Sequence, residues 1–188
     1  MDRRMMIVEA ATKSFSLFGF KATTMDQVAK LANVGKGTIY TFFKNKEELF
    51  SEIISSLVQE MIAEADEVIK PHLSFTENVH LALYRLLEFR SKHHLMIKLV
   101  QEETEMGTPA VSEMLDRVET EIIAYLKQKI DIAIAKGGIP QTNSELTSFL
   151  LFKMYITLVS DWERKHEPLS SEQIAETMKV FLLKGLSF

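Results

Sequence analysis

Cysteine is absent from the 188 residues, which excludes a disulfide framework, thiolate catalysis and any cysteine-ligated zinc or iron–sulfur site. Proline and glycine are scarce, at 4 and 7, so collagen-like and low-complexity chains are excluded too. Apolar stretches such as Phe149–Phe152 fall far short of the about 20 residues that a helix needs to cross a bilayer. Met1-Asp2-Arg3-Arg4 carries a basic pair with no signal-peptide core behind it, so a cytoplasmic protein with no membrane partner is expected. No strand-like alternation of apolar and polar residues survives inspection. What is present is 46% hydrophobic and 26% charged residues, enough for a substantial core in one or two domains. The net charge of −4, taken alone, argues against nucleic acid as a partner.

The distribution of that charge says otherwise. Residues 1–50 hold eight Lys or Arg against five Asp or Glu, a net of +3. The remainder carries −7. A basic minority segment on an acidic chain points to an interaction surface.

Helical periodicity runs through almost the whole chain, so an all-α fold is expected. Ile7, Ala10, Ala11, Ser14, Phe15 and Phe18 recur at three- and four-residue steps over about Arg4–Phe18, and Gly19 stops that helix. Thr24-Met25-Asp26-Gln27 has the form of a capping box, opening a short helix to Ala32. Asn33-Val34-Gly35 reads as a turn with Gly35 taking positive φ, and Lys36–Phe43 as a second short helix. Asn45 caps a long helix ending before Pro71, and Ser74-Phe75-Thr76-Glu77 is a second capping box opening a helix to about Arg90. Further helices are expected over about Leu95–Glu105, from Pro109 to Gly137-Gly138, from Asn143 or Ser144 to about Lys165, and over about Ser170–Leu186. The last two are apolar around much of their circumference, as in helices buried on several sides, and a partner subunit would supply the second side.

Helix, cap, short helix, turn, short helix is the sequence form of a helix-turn-helix unit. In Lys36–Phe43, Ile39 and Phe43 lie four apart and would face the core with Phe42 beside them. Lys36, Gly37, Thr38, Tyr40 and Thr41 are left for the exposed side. Lys36 and Lys46 can neutralise phosphates, Gly37 permits close approach to a groove, and Thr and Tyr hydroxyls suit phosphate oxygens.

Phe18-Gly19-Phe20-Lys21-Ala22-Thr23-Thr24-Met25, followed by the dense run from Val28 through Gly37-Thr38-Ile39-Tyr40 to Leu49, resembles the DNA-binding domain of the TetR family of transcriptional regulators. The resemblance covers about residues 4–50. It implies a helix-turn-helix domain over residues 1–48 and an effector-binding and dimerisation bundle over residues 49–188. It also implies a homodimer that holds a palindromic operator in double-stranded DNA, usually as a repressor, and responds to a small molecule. By position, Lys36, Gly37, Thr38 and Thr41 would face bases or adjoining phosphates, while Tyr40, Thr24 and Lys46 would hold the backbone. Gly35 stands where the family often has Ser, which removes a cap hydroxyl before the second short helix.

Beyond residue 50 no ligand motif stands out, and no cofactor is expected. The abundance of Phe and Met suggests a lipophilic effector in an apolar pocket with a few polar groups. Candidate lining residues are Phe89, Met96, Leu99, Phe149, Phe152, Met154, Tyr155 and Trp162, with His80, Tyr84, Glu102 or Glu103 as polar partners. Dimerisation is expected through the two C-terminal helices. A rival reading is a di-iron carboxylate bundle, because Glu77/His80 and Glu163/His166 repeat the Glu-x-x-His spacing of such enzymes. Glu77 falls in a first helical turn and Glu163 in a charged helix end, whereas bundle ligands sit mid-helix among apolar neighbours. The regulator is the stronger expectation, and no enzyme activity follows from the sequence.

Overall fold

The computed structural model describes residues 2–183. Among the described residues there are nine α-helices and no strand: α1 (Arg3–Ala22), α2 (Met25–Leu31), α3 (Lys36–Phe42), α4 (Lys46–Glu67), α5 (Phe75–Lys92), α6 (His94–Met106), α7 (Pro109–Ala135), α8 (Ser144–Ile156) and α9 (Ser171–Met178). The helix starts follow the capping chemistry of the sequence. Thr24 accepts from the Gln27 amide and the Gln27 side chain reaches back, and Ser170 with Gln173 repeats the arrangement. Asn45 and Asn143 accept from the Glu48 and Leu146 amides.

Three local features depart from expectation. Gly19 does not end α1 but breaks it, at φ 83° and ψ 173°, and one further turn runs to Ala22. The left-handed residue of the α2–α3 turn is Asn33, at φ 52°. Gly35 instead has φ −66° and caps α3 with no side-chain hydrogen bond. Asn tolerates the left-handed region because its short amide bonds locally, so the turn needs no glycine there. Finally, α8 does not continue as α-helix to Lys165. A π-helical turn over Thr157–Asp161 and a 3₁₀ turn over Trp162–Arg164 follow it. A second π turn, Lys179–Leu183, follows α9. The expected extension to Leu186 lies outside the described residues.

The chain divides into two compact units, Met1–Glu60 with Arg90–Val118, and Met61–Phe89 with Glu119–Phe188. In the first, Ile7, Ala11, Phe15, Val28, Ile39, Phe43, Leu49 and Phe50 form a fully buried centre. Phe15, Phe20 and Phe50 pack with ring centroids 4.6 to 5.8 Å apart, distances at which aromatic rings attract beyond simple burial. α6 contributes Leu95 and Leu99 to the buried set and packs against α1. The second unit has its own core, in which Leu83, Leu87, Ile130, Leu151, Val159, Ile174 and Met178 cluster.

Candidate nucleic-acid interface

The first unit offers one short helix with sharply different faces. Ile39 is fully buried at the middle of α3, and Phe43 is buried just past its end. Lys36, Gly37, Tyr40 and Thr41 are exposed and Thr38 is half-buried. Phe42, expected beside the core residues, is partly exposed. A Cβ added at Gly37 would meet nothing within 4 Å, so open space lies in front of that backbone. The arrangement can lay polar groups and bare backbone against a groove while its apolar side holds the helix to the protein.

Neighbouring contacts define what each polar group has to offer. Lys36 Nζ donates to Asp26 Oδ2 of α2 at 2.9 Å with both side chains exposed, and that hydrogen bond raises the lysine pKa. Thr41 Oγ1 donates to the Thr38 carbonyl at 2.7 Å. The Thr24 hydroxyl is engaged with Gln27 in the cap of α2. Lys46 Nζ donates to the carbonyls of Phe20 and Thr23 at 2.8 and 2.9 Å and lies 4.1 Å from the centre of the Phe20 ring. Burial lowers its pKa. Arg4 pairs with Glu52 and stacks over Phe43, which draws it back onto the domain.

A buried carboxylate also belongs to this unit. Glu102 of α6 accepts from the consecutive amides of Phe20 and Lys21 at 2.6 and 3.0 Å. Sequence reasoning placed Glu102 among the polar partners of an effector and missed this contact, whose partners lie some eighty residues away. Gly19 was the available signal, since it marks the chain break that exposes those amides.

The expected effector residues are divided between the units. Met96 and Glu103 are half-buried in the first, where Glu103 Oε1 accepts from Ser112 Oγ at 2.7 Å and Oε2 is buried with no hydrogen-bond partner. In the second, the His80 and Tyr84 rings meet edge to face at 4.8 Å, and His80 Nδ1 is buried and unbonded. Phe149 and Phe152 both lie under the Lys153 ammonium, which pairs with Glu119 at 2.6 Å. Phe152 is buried and Tyr155 half-buried, whereas Phe149 and Trp162 are exposed. A shallow open depression along α7, lined by Ala124, Lys127, Gln128, Asp131, Ile132 and Ala135, includes none of these residues.

The Glu-x-x-His pairs are engaged in local contacts. The Glu77 carboxylate accepts from the Ser74 amide and hydroxyl at 2.8 and 2.7 Å, and the hydroxyl bond holds its pKa below the usual value. His166 stacks on Trp162 at 3.9 Å. Among the described residues no three His, Asp or Glu side chains converge as a metal ligand set, and no helix is long and apolar enough to cross a membrane.

Comparison with known proteins bears on the same residues. The profile of "Bacterial regulatory proteins, tetR family" matches residues 7–53, a span that contains α2, α3 and the start of α4. The HTH-type transcriptional regulator YhgD of Bacillus subtilis is 56% identical over 187 residues, covering 100% of this chain and 98% of the relative. Among solved structures, the fatty acid degradation regulator FadR of Bacillus halodurans superposes with a TM-score of 0.80 at 18% identity, covering 99% of this chain and 97% of its own. FadR of Bacillus subtilis, in complex with stearoyl-CoA, gives 0.79 at 20% identity, with 97% and 99% covered. These two show the shared fold. With a full-length relative at such identity, and a helix-turn-helix unit whose second helix turns polar groups outward, the chain belongs to the TetR family of DNA-binding transcriptional regulators.

Proposed function

We propose that the protein is a homodimeric repressor that binds a palindromic operator through residues 1–48 and is released by a small lipophilic effector bound within residues 49–188. The observation that carries the reading is the two-faced α3, with Ile39 sealed in the core and Lys36, Gly37, Tyr40 and Thr41 in solvent. Lys36, Gly37, Thr38 and Thr41 face bases or adjoining phosphates in the major groove. The Thr41 hydroxyl is turned onto the Thr38 carbonyl, so its methyl is the group left to meet a thymine methyl. Tyr40, Thr24 and Lys46 hold the backbone. Two of the three ammonium hydrogens of Lys46 are taken by carbonyls, leaving one for a phosphate.

Dimerisation through the two C-terminal helices is supported by apolar side chains left in solvent there, Leu146, Phe149, Leu150, Trp162, Val180 and Phe181. Apolar surface of this kind on a folded chain marks an interaction site. The lipophilic effector is supported by the fold shared with a stearoyl-CoA complex, and His80, Tyr84, Phe152 and Tyr155, all of one unit, are its candidate contacts. A ligand of this kind acts only by preferring one arrangement of the recognition helices over another. A site in the cytoplasm follows from the role.

Selection of genomic fragments by the purified protein tests the proposal. Enrichment of an inverted repeat, bound by two chains and released by added stearoyl-CoA, is the expected result. Enrichment of single half-sites bound by one chain would overturn the dimer and operator. Retention of the operator at saturating stearoyl-CoA would overturn an acyl effector.

A further inference from the structure

We propose that Glu102 is a positioning residue for DNA binding, its buried carboxylate fixing the corner between α1 and α2 and thereby the stance of α3. The proposal rests on α3 being the DNA-contacting helix. Glu102 is 4% exposed, and a buried carboxylate is tolerated only where hydrogen bonds replace its water. Here both oxygens are used, Oε2 by the Phe20 N–H and Oε1 by the Lys21 N–H. Bonds to a charged acceptor are the short, strong kind.

The two peptide groups so held are anchored at their other ends as well. The Gly19 carbonyl, which shares its peptide with the Phe20 N–H, accepts from Thr23 Oγ1 at 2.8 Å. The Phe20 carbonyl, which shares its peptide with the Lys21 N–H, accepts from Lys46 Nζ. Thr23 Oγ1 is in turn 3.0 Å from Ser14 Oγ. Two successive peptide planes are thus fixed at both ends, their N–H groups by Glu102 of α6 and their carbonyls by Thr23 and by Lys46 of α4.

Gly19 makes the contact possible. Its φ of 83° turns the chain so that the two amides face α6, a conformation that side chains other than glycine disfavour. A Cβ built there would also collide with Glu102 Oε2. The chain leaves this corner through Thr24, the N-cap of α2, and α2 packs on α3. The carboxylate therefore sets where the reading helix begins without touching DNA.

The test uses the full-length chain, a selected operator fragment and a non-specific duplex of equal length. Glu102→Gln keeps the shape and one acceptor oxygen but turns an NH₂ toward an N–H, so one bond is lost and the other weakened. Its operator affinity should fall about tenfold or more, a difference of about 1.4 kcal/mol or above, while non-specific binding stays within about twofold. A merely structural role lowers the melting temperature and leaves that ratio unmoved. Gly19→Ala should produce the same loss with Glu102 intact, and the double variant should fall short of the sum because both act on one contact. In the wild-type chain, hydrogen exchange at the Phe20 and Lys21 amides should slow further on operator and not on the non-specific duplex. Unchanged operator affinity in Glu102→Gln, or equal exchange on the two duplexes, would overturn the proposal. Failure of the wild-type chain to select any DNA would instead overturn DNA contact through α3, and that result needs no variant.

Discussion

Lys36 shows how much one neighbour governs an exposed charge on the proposed reading helix. Its ammonium is joined to Asp26, and both side chains are solvent-exposed. If Lys36 meets a phosphate as proposed, the phosphate has to compete with that carboxylate, and the pair tempers attraction to DNA of any sequence. Asp26→Asn should strengthen binding to non-specific duplex and steepen its log affinity against log salt slope by about one unit. Fluorescence anisotropy across a salt series checks this, and an unchanged slope would remove Lys36 from the phosphate contacts. The type of each residue on α3 was legible in the sequence, since a buried position every four leaves the rest outside. The ties of Lys36 to Asp26 and of Lys46 to two carbonyls were not, because periodicity carries no information about which charges meet across helices.

At the scale of elements, the helix starts were legible and the irregular stretches were not. A capping box is a local event of four residues, and the boxes at Thr24, Ser74 and Ser170 all formed. The α2–α3 turn was read with the wrong left-handed residue. Asn33 and Gly35 both accept positive φ, and the choice falls to the geometry that lets the Val34 amide reach the Ala29 carbonyl. Asn33→Gly should leave stability nearly unchanged, whereas Asn33→Val should cost roughly 1–2 kcal/mol in urea unfolding, because a β-branched side chain resists that φ. The π turn after α8 has no sequence mark either, as Thr157–Asp161 is as helix-compatible as what precedes it.

The join of α4 to α7 gives a pH-dependent test. Asp66 accepts from Tyr125 Oη at 2.6 Å and pairs with Lys129 at 2.7 Å. Burial pushes its carboxyl up, but the bonds from Lys129 and Tyr125 outweigh this and the pKa is lowered. A carboxyl depressed by folding adds stability above its unfolded value of about 4, which is lost as pH falls through the folded value. Thermal melts from pH 7 down to 3 should show a shallower acid decline for Asp66→Asn than for the wild-type chain. Identical pH profiles would show that the contact does not contribute.

For the whole molecule, the net charge of −4 was the least informative number in the sequence, the sum of a +3 segment and a −7 remainder. The separation suits a regulator, whose acidic part is kept off phosphate while its basic part seeks it. The exposed apolar residues on α8 and after α9 make a prediction at this scale. Phe181 is 70% exposed and Leu150 51% in the single chain. Phe181→Glu with Leu150→Glu should yield a folded species with the mass of one chain, 21.5 kDa, in light scattering after size exclusion. Operator affinity should fall with it, since two half-sites need two joined readers. A double variant that keeps the wild-type mass would show that these side chains do not join two copies of the chain.

The fit between Gly19 and Glu102 also constrains how relatives can diverge. A side chain at position 19 requires the long carboxylate at position 102 to withdraw, and a shorter residue at 102 leaves two amides without an acceptor. Neither change is tolerable first without the other. Across homologous sequences the two positions should therefore change together, glycine with glutamate, and lineages that lost one should have lost both.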